Sequence, residues 1–242
     1  MTENVIEIKG LEMHFGGVKA LRGVDMQIPR GKVTAIIGDN GAGKSTLIKC
    51  LSGIYQPTHG EIFINGEIAQ VSSPIAARNL GIETVYQDLA VLDTLTVTEN
   101  LYLSREIRKG IWPFQLLNRK KMLLGAGEMM ERVGNTTIRL NNEIGYMSGG
   151  QRQAVAISRA VGWGAQVIIF DEPTAALGVK ESAEVAHLIE RLKTQGITVI
   201  IISHNFEEVL TLADLVWVMR QGKAIASRNA SEVSGRDLVA LL

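Results

Sequence analysis

The stretch Gly38-Asp39-Asn40-Gly41-Ala42-Gly43-Lys44-Ser45-Thr46 limits what this chain can fold into more than any other part of it. It follows a β-branched run, Val33 to Ile37, and leads into Leu47, Leu51 and Ile54, spaced as on one face of a helix. Strand, glycine-rich turn and helix in that order fit the pattern G-x-x-x-x-G-K-[ST], whose backbone wraps phosphates. Glycines leave out the Cβ atoms that would hold the backbone away from an anion. The loop amides and the positive end of the helix then attract that anion. In this reading Gly38, Asp39, Asn40, Gly41, Ala42, Gly43 and Thr46 belong to the cradle. Lys44 reaches the β- and γ-phosphates, and the Ser45 hydroxyl ligates Mg2+. The loop implies a nucleotide but not what is done with it, because kinases, GTPases and motor ATPases share it.

Three more apolar runs resemble the one before the loop: Val167 to Phe170, Thr198 to Ile202 and Leu215 to Met219. They are continuous rather than alternating and too short for helices, as parallel strands covered on both faces are. A helical pattern, Val185, Leu188, Ile189 and Leu192, closed by Gly196, separates two of them. This alternation predicts an α/β fold, a phosphate-loop core around a parallel sheet. Val5 to Lys9 and Gly60 to Gly66 alternate apolar with polar residues and predict a small antiparallel β subdomain. Between about 88 and 160 the strand pattern fades. There Thr96-x-x-Glu99 reads as a capping box opening a helix through Leu101 and Leu103. The expected organisation is one domain over 1–242, with a nucleotide-binding core at about 1–87 and 161–242 and a helical subdomain at about 88–160. Trp217 to Ala226, with Gln221-Gly222 in the middle, predicts a hairpin.

The run Val167 to Phe170 ends in Asp171-Glu172-Pro173. An acid at the end of such a strand holds Mg2+, directly or through water, in phosphate-loop ATPases, and this assigns Asp171 to the metal. Glu172, one step on, can orient or deprotonate an attacking water. Adjacent carboxylates repel, and a divalent cation between them and the phosphates makes the pair tolerable.

Ser148-Gly149-Gly150-Gln151 opens a second helix that offers its start to an anion. It lies far from the first loop in sequence. A head-to-tail dimer brings the two together, each nucleotide lying between the phosphate loop of one copy and Ser148–Gln151 of the other.

With these motifs in this order, the sequence resembles the nucleotide-binding domain of ATP-binding cassette transporters over essentially its whole length. Met147-Ser148-Gly149-Gly150-Gln151 matches the Leu-Ser-Gly-Gly-Gln signature with an apolar exchange at its first position. The resemblance implies ATP and Mg2+ as cofactors and assigns four further residues. Phe15 stacks on adenine with Val18 on the same side. Gln87 joins the helical subdomain to Mg2+ and water, and His204 contacts the γ-phosphate. Catalysis then falls to Glu172, His204, Lys44 and Gln87, and the metal to Ser45, Gln87 and Asp171. The chain departs from the family at Gly178, where an aspartate that couples the two sites is usual.

Phe15 to Leu21 and Pro173 to Glu181 are most similar to ATPases of bacterial monosaccharide importers of the ribose, xylose and fructose type. The resemblance implies ATP hydrolysis by a homodimer bound to transmembrane permease subunits at the cytoplasmic face of the membrane. A periplasmic sugar-binding protein acts further out. A branched-chain amino-acid importer and a soluble cassette are the alternatives, while a kinase leaves Ser148–Gln151 without a role. A regulatory domain after the hairpin, such as malto-oligosaccharide importers carry, is not expected.

Composition narrows the partners. Lys+Arg and Asp+Glu are both 25, so no net basic excess points to nucleic acid. The single cysteine, Cys50, fits a reducing compartment. Residues 1–5 lack the basic-then-apolar pattern of a signal peptide. No apolar run approaches the ~20 residues that cross a bilayer, so membrane association is expected through a partner.

Overall fold

The computed structural model describes residues 3–86, 90–111, 114–175 and 177–241. In chain order the elements are β1 (Asn4–Phe15), β2 (Val18–Pro29), β3 (Val33–Ile37), α1 (Lys44–Leu51), β4 (His59–Ile64), β5 (Glu67–Ile68), α2 (Pro74–Asn79), β6 (Ile82–Val85), α3 (Val97–Leu101), β7 (Arg108–Lys109), β8 (Leu116–Leu117) and α4 (Arg119–Arg132). They continue with α5 (Gly149–Gly162), β9 (Val167–Asp171), α6 (Val179–Thr194), β10 (Thr198–Ile202), α7 (Phe206–Leu212), β11 (Leu215–Arg220), β12 (Lys223–Asn229) and α8 (Gly235–Leu241). The chain divides into two compact units. The first comprises Met1–Thr84, Ala165–Pro173 and Ile189–Leu242, and the second Val85–Gly164 and Thr174–Leu188.

In the first unit, a six-stranded sheet runs in the order β12-β11-β3-β10-β9-β6. The pairs β11·β3, β3·β10 and β10·β9 are parallel, and β12 is an antiparallel edge. All residues of β3 and β10 are buried, which is why their sequences show no polar alternation. Each buried Ile or Val removes apolar surface worth about 1.5–3 kcal/mol, so these strands cannot move to an edge cheaply. A four-stranded antiparallel sheet, β2-β1-β4-β5, joins the same core through Ile6, Ile8, Leu21 and Ile62. The β11–β12 hairpin turns at Gln221 (φ 48) and Gly222 (φ 80), the two positive φ values that a two-residue turn of this hand needs.

Helix α1 is shorter than the spacing of Leu47, Leu51 and Ile54 suggests. It ends at Leu51 with Ser52 as cap, Gly53 turns left-handed at φ 74, and Ile54 is half-exposed beyond it.

In the second unit, Thr96 and Glu99 form the expected capping box of α3, with Thr96 N donating to Glu99 Oε2 at 2.9 Å. That reciprocal contact, chiefly the Thr96 backbone and hydroxyl bonds, holds the Glu99 carboxyl below its ordinary value. The helix stops at Leu101 rather than continuing through Leu103, because the chain turns left-handed at Ser104 (φ 63). The core of the unit gathers Val97, Leu101, Met122, Met130 and Val155, with Leu188 of α6 packed against it. A two-stranded ribbon, β7–β8, stands where the sequence pattern gave no strand. Among the described residues no helix is long and apolar enough to cross a membrane.

Candidate nucleotide site

The loop between β3 and α1 takes its shape from positions where no side chain fits. Gly43 is left-handed at φ 102, and a Cβ there would lie 2.9 Å from the Ala20 carbonyl oxygen of β2. A Cβ on Gly38 would collide with the Met219 carbonyl of β11. The loop is also tied to the β11–β12 turn. Gly222 N donates to Ala42 O at 3.0 Å, and Arg22 N donates to Gly222 O at 2.8 Å. One turn residue therefore bridges the loop and β2.

Lys44 begins α1, and its ammonium donates to the carbonyls of Gly38 at 2.5 Å and Asp39 at 3.0 Å. Burial lowers its pKa, opposed by the negative charges of Glu172, Asp39 and Asp171. Asp171 ends β9, and burial with the neighbouring Glu172 raises its carboxyl above the ordinary value, against Lys49 and Lys44. Glu172 follows with its backbone in the left-handed region, φ 52, and its N–H donates to Ile202 O at 2.9 Å. Its Oε1 lies 3.0 Å from Nδ1 of His204, just past β10.

These residues surround a cavity of about 540 Å3 lined by Phe15, Val18, Asn40–Thr46, Asp171 and Glu172. Phe15 stands edge-on to Tyr55, ring centres 5.1 Å apart. Gly38 and Asp39 do not line the cavity but hold the Lys44 ammonium. His204 reaches it through Glu172. Lys19, Arg22, Gln221 and Gly222 also line it, and sequence reading did not single them out for this. Gln221-Gly222 reads only as a turn until the loop it touches is known. Gln87 lies outside the described residues.

In the second unit, Ser148 caps α5. Its Oγ accepts from Gln151 N at 3.3 Å, and Gln151 Oε1 accepts from Ser148 N at 3.2 Å. Side-chain ends approach Gly149 and Gly150 closely. A Cβ on Gly149 would come within 2.6 Å of Leu177 Cδ2, and one on Gly150 within 3.1 Å of Glu184 Oε2. Gly178 stands ahead of α6, where Glu181 Oε2 accepts its N–H at 3.2 Å.

The donors fit a nucleotide and a hard cation. The cavity offers a glycine-shaped amide loop, a helix start and an ammonium to phosphate. The Ser45 hydroxyl and the half-buried Asp171–Glu172 pair would supply oxygen donors of the kind that Mg2+ takes.

Strand, glycine-shaped loop, buried lysine and paired carboxylates define a phosphate-loop nucleotide-binding protein of the α/β class. The chain belongs to the ABC transporter family, whose sequence profile, described as ABC transporter, matches residues 21–175. Its enzymatic activity is that of the family's ATP-binding proteins, hydrolysis of ATP. A xylose/arabinose import ATP-binding protein of Sulfolobus acidocaldarius is 41% identical over 99% of this chain and 94% of its own length. A fructose import ATP-binding protein of Rhizobium meliloti is 42% identical, again over 99% and 94%. A ribose import ATP-binding protein of Rubrobacter xylanophilus is 40% identical over 96% of the chain, which spans 45% of that longer protein. Among solved structures, a nucleotide-free ATP-binding cassette from an ABC transporter matches with a TM-score of 0.85 and 28% identity, covering 98% of this chain and 95% of that one.

Proposed function

We propose that the protein is the ATP-hydrolysing subunit of an importer that carries a monosaccharide, such as fructose or ribose, across the cytoplasmic membrane. One observation carries this reading: two sugar-import ATP-binding proteins are 41% and 42% identical to the chain along nearly their whole length. The subunit sits peripherally at the cytoplasmic face, bound to permease subunits, with a periplasmic sugar-binding protein delivering the cargo.

Phe15 stacks on adenine with Val18 beside it, and the loop Gly38–Thr46 wraps the phosphates. Lys44 meets the β- and γ-phosphates with charge that burial has stripped of water, which strengthens the attraction. When bound, Mg2+ is held by Ser45, Gln87 and Asp171 and neutralises charge on the phosphate oxygens. Glu172 receives a proton from the attacking water, and His204 orients that carboxylate while facing the γ-phosphate. Ser148–Gln151 of a second copy completes each site, so two chains pair head to tail around two ATP molecules. Losing the γ-phosphate charge weakens that bridge, and Gln87 passes the change to the helical unit.

Disrupting the coding sequence and measuring uptake of labelled fructose, ribose and leucine tests the reading. Loss of one monosaccharide with leucine uptake intact is the expected result. Loss of leucine uptake alone, or of neither class, refutes sugar import.

A further inference from the structure

The second unit carries a solvent-facing apolar ribbon that the nucleotide chemistry does not use. Ile111 is 85% exposed and Phe114 84%, and Leu116, Leu117 and Leu124 are exposed as well. Two backbone bonds fix the described residues on either side: Asn118 N donates to Ile107 O at 2.7 Å, and Phe114 N donates to Ile111 O at 2.8 Å. Its register sets Arg108 opposite Leu117 and Lys109 opposite Leu116, a cation beside each leucine. Helix α4 then opens with Arg119, Lys120 and Lys121. Arg108, Lys109, Lys120 and Lys121 are exposed and have no ion-pair partner among the described residues. Between 104 and 124 the one acid is Glu106, whose Oε1 accepts from Ser104 N at 3.1 Å. A chain of zero net charge thus concentrates exposed cations, without ion-pair partners among the described residues, around one group of exposed apolar side chains.

We propose that this ribbon and the start of α4 dock directly on the anionic phospholipid surface of the bilayer. Lysine is depleted at protein–protein interfaces, yet three of these four cations are lysines. Aliphatic and aromatic side chains ringed by Lys and Arg are instead the composition of an interfacial membrane contact, apolar groups entering the headgroup boundary and cations meeting lipid phosphate. The contact lies on the surface, since no described helix can span the bilayer. The proposal rests on the transporter reading only in that a transporter subunit has a bilayer beside it.

Flotation of the full chain with permease-free vesicles tests it. Vesicles of phosphatidylglycerol and phosphatidylcholine in equal parts are expected to carry the protein, phosphatidylcholine alone is not, and salt is expected to release it. Lys120→Gln with Lys121→Gln is expected to lower partitioning by about thirtyfold, since each cation near an anionic surface counts for about fivefold. Ile111→Ser with Phe114→Ser is expected to weaken it at high salt, where apolar contact dominates. Circular dichroism and phosphate release of both variants should match the wild type, so a binding loss is not a folding loss. No flotation on the anionic vesicles, flotation that both variants leave unchanged, or binding only to vesicles carrying the permease overturns the proposal. Failure of the importer reading appears separately, in the uptake measurements.

Discussion

Nδ1 of His204 lies 3.0 Å from Oε1 of Glu172. An ionised carboxylate only accepts, so Nδ1 carries the proton in this contact. The other ring nitrogen can then donate to a phosphate oxygen only when the imidazole is protonated. His204 therefore holds one carboxylate oxygen, linking the residue assigned to the phosphate with the residue assigned to the base.

Replacing Glu172 with Gln keeps the shape and removes the proton acceptor. Phosphate release should fall by at least ~100-fold, while ATP still binds and an ATP-bound dimer accumulates on size-exclusion chromatography. Wild-type turnover would take the proton-accepting role away from Glu172. His204→Ala should also slow release, with ATP affinity less affected.

Lys44→Ala removes an ammonium already pointed at the loop and held by Gly38 and Asp39 carbonyls. Charge-assisted hydrogen bonds contribute about 1.5–3 kcal/mol each, so ATP affinity by calorimetry should drop by roughly 10- to 100-fold. Unchanged affinity would contradict the cradle.

Gly222→Ala tests the bridge between hairpin and loop. Its new Cβ would lie 2.7 Å from the Ala20 carbonyl oxygen, at φ 80. Displacing the turn disturbs the bond to Ala42, so KM for ATP should rise. Gly164→Ala is the control: φ is 86, with nothing within 4 Å of a Cβ. It should cost about 1 kcal/mol of backbone strain and leave KM alone.

Asp214 sets an acid limit on stability. Burial pushes its carboxyl up, but the Lys193 bond at 2.7 Å, the Val33 amide and the charges of Lys193 and Lys32 together hold it below the ordinary 3.8. A depressed folded value means the contribution is present above 3.8 and fades as pH falls through the lower folded value. Asp214→Asn should lose roughly 1–2 kcal/mol in urea unfolding at neutral pH. That difference should close in the acid range.

The sequence made the strands of the parallel sheet readable because their burial on both faces forbids polar residues. Thr96-x-x-Glu99 was equally readable, since a capping box is a local contact. Local pattern failed where a neighbour or a backbone turn decides. Ile54 keeps helical spacing, yet Gly53 has already ended the helix. The two-residue strands of the ribbon are too short to leave a period. Part of the cavity wall was hidden for another reason: Gln221-Gly222 and Ala42 are far apart in sequence and meet only once the sheet is assembled. Gly149 and Gly150 read as an anion-receptive helix start, and the sequence did not show that the side-chain ends of Leu177, ahead of α6, and Glu184, on α6, approach them.

The backbone of Glu172, at φ 52, sits where residues bearing a Cβ are uncommfortable, at a cost on the order of 1–3 kcal/mol. Glycine or asparagine would rest there more easily. A chain shaped only for durability would give up this glutamate, so heat tolerance and turnover pull against each other at one peptide unit, and screens for hardier variants should keep recovering dead ones there.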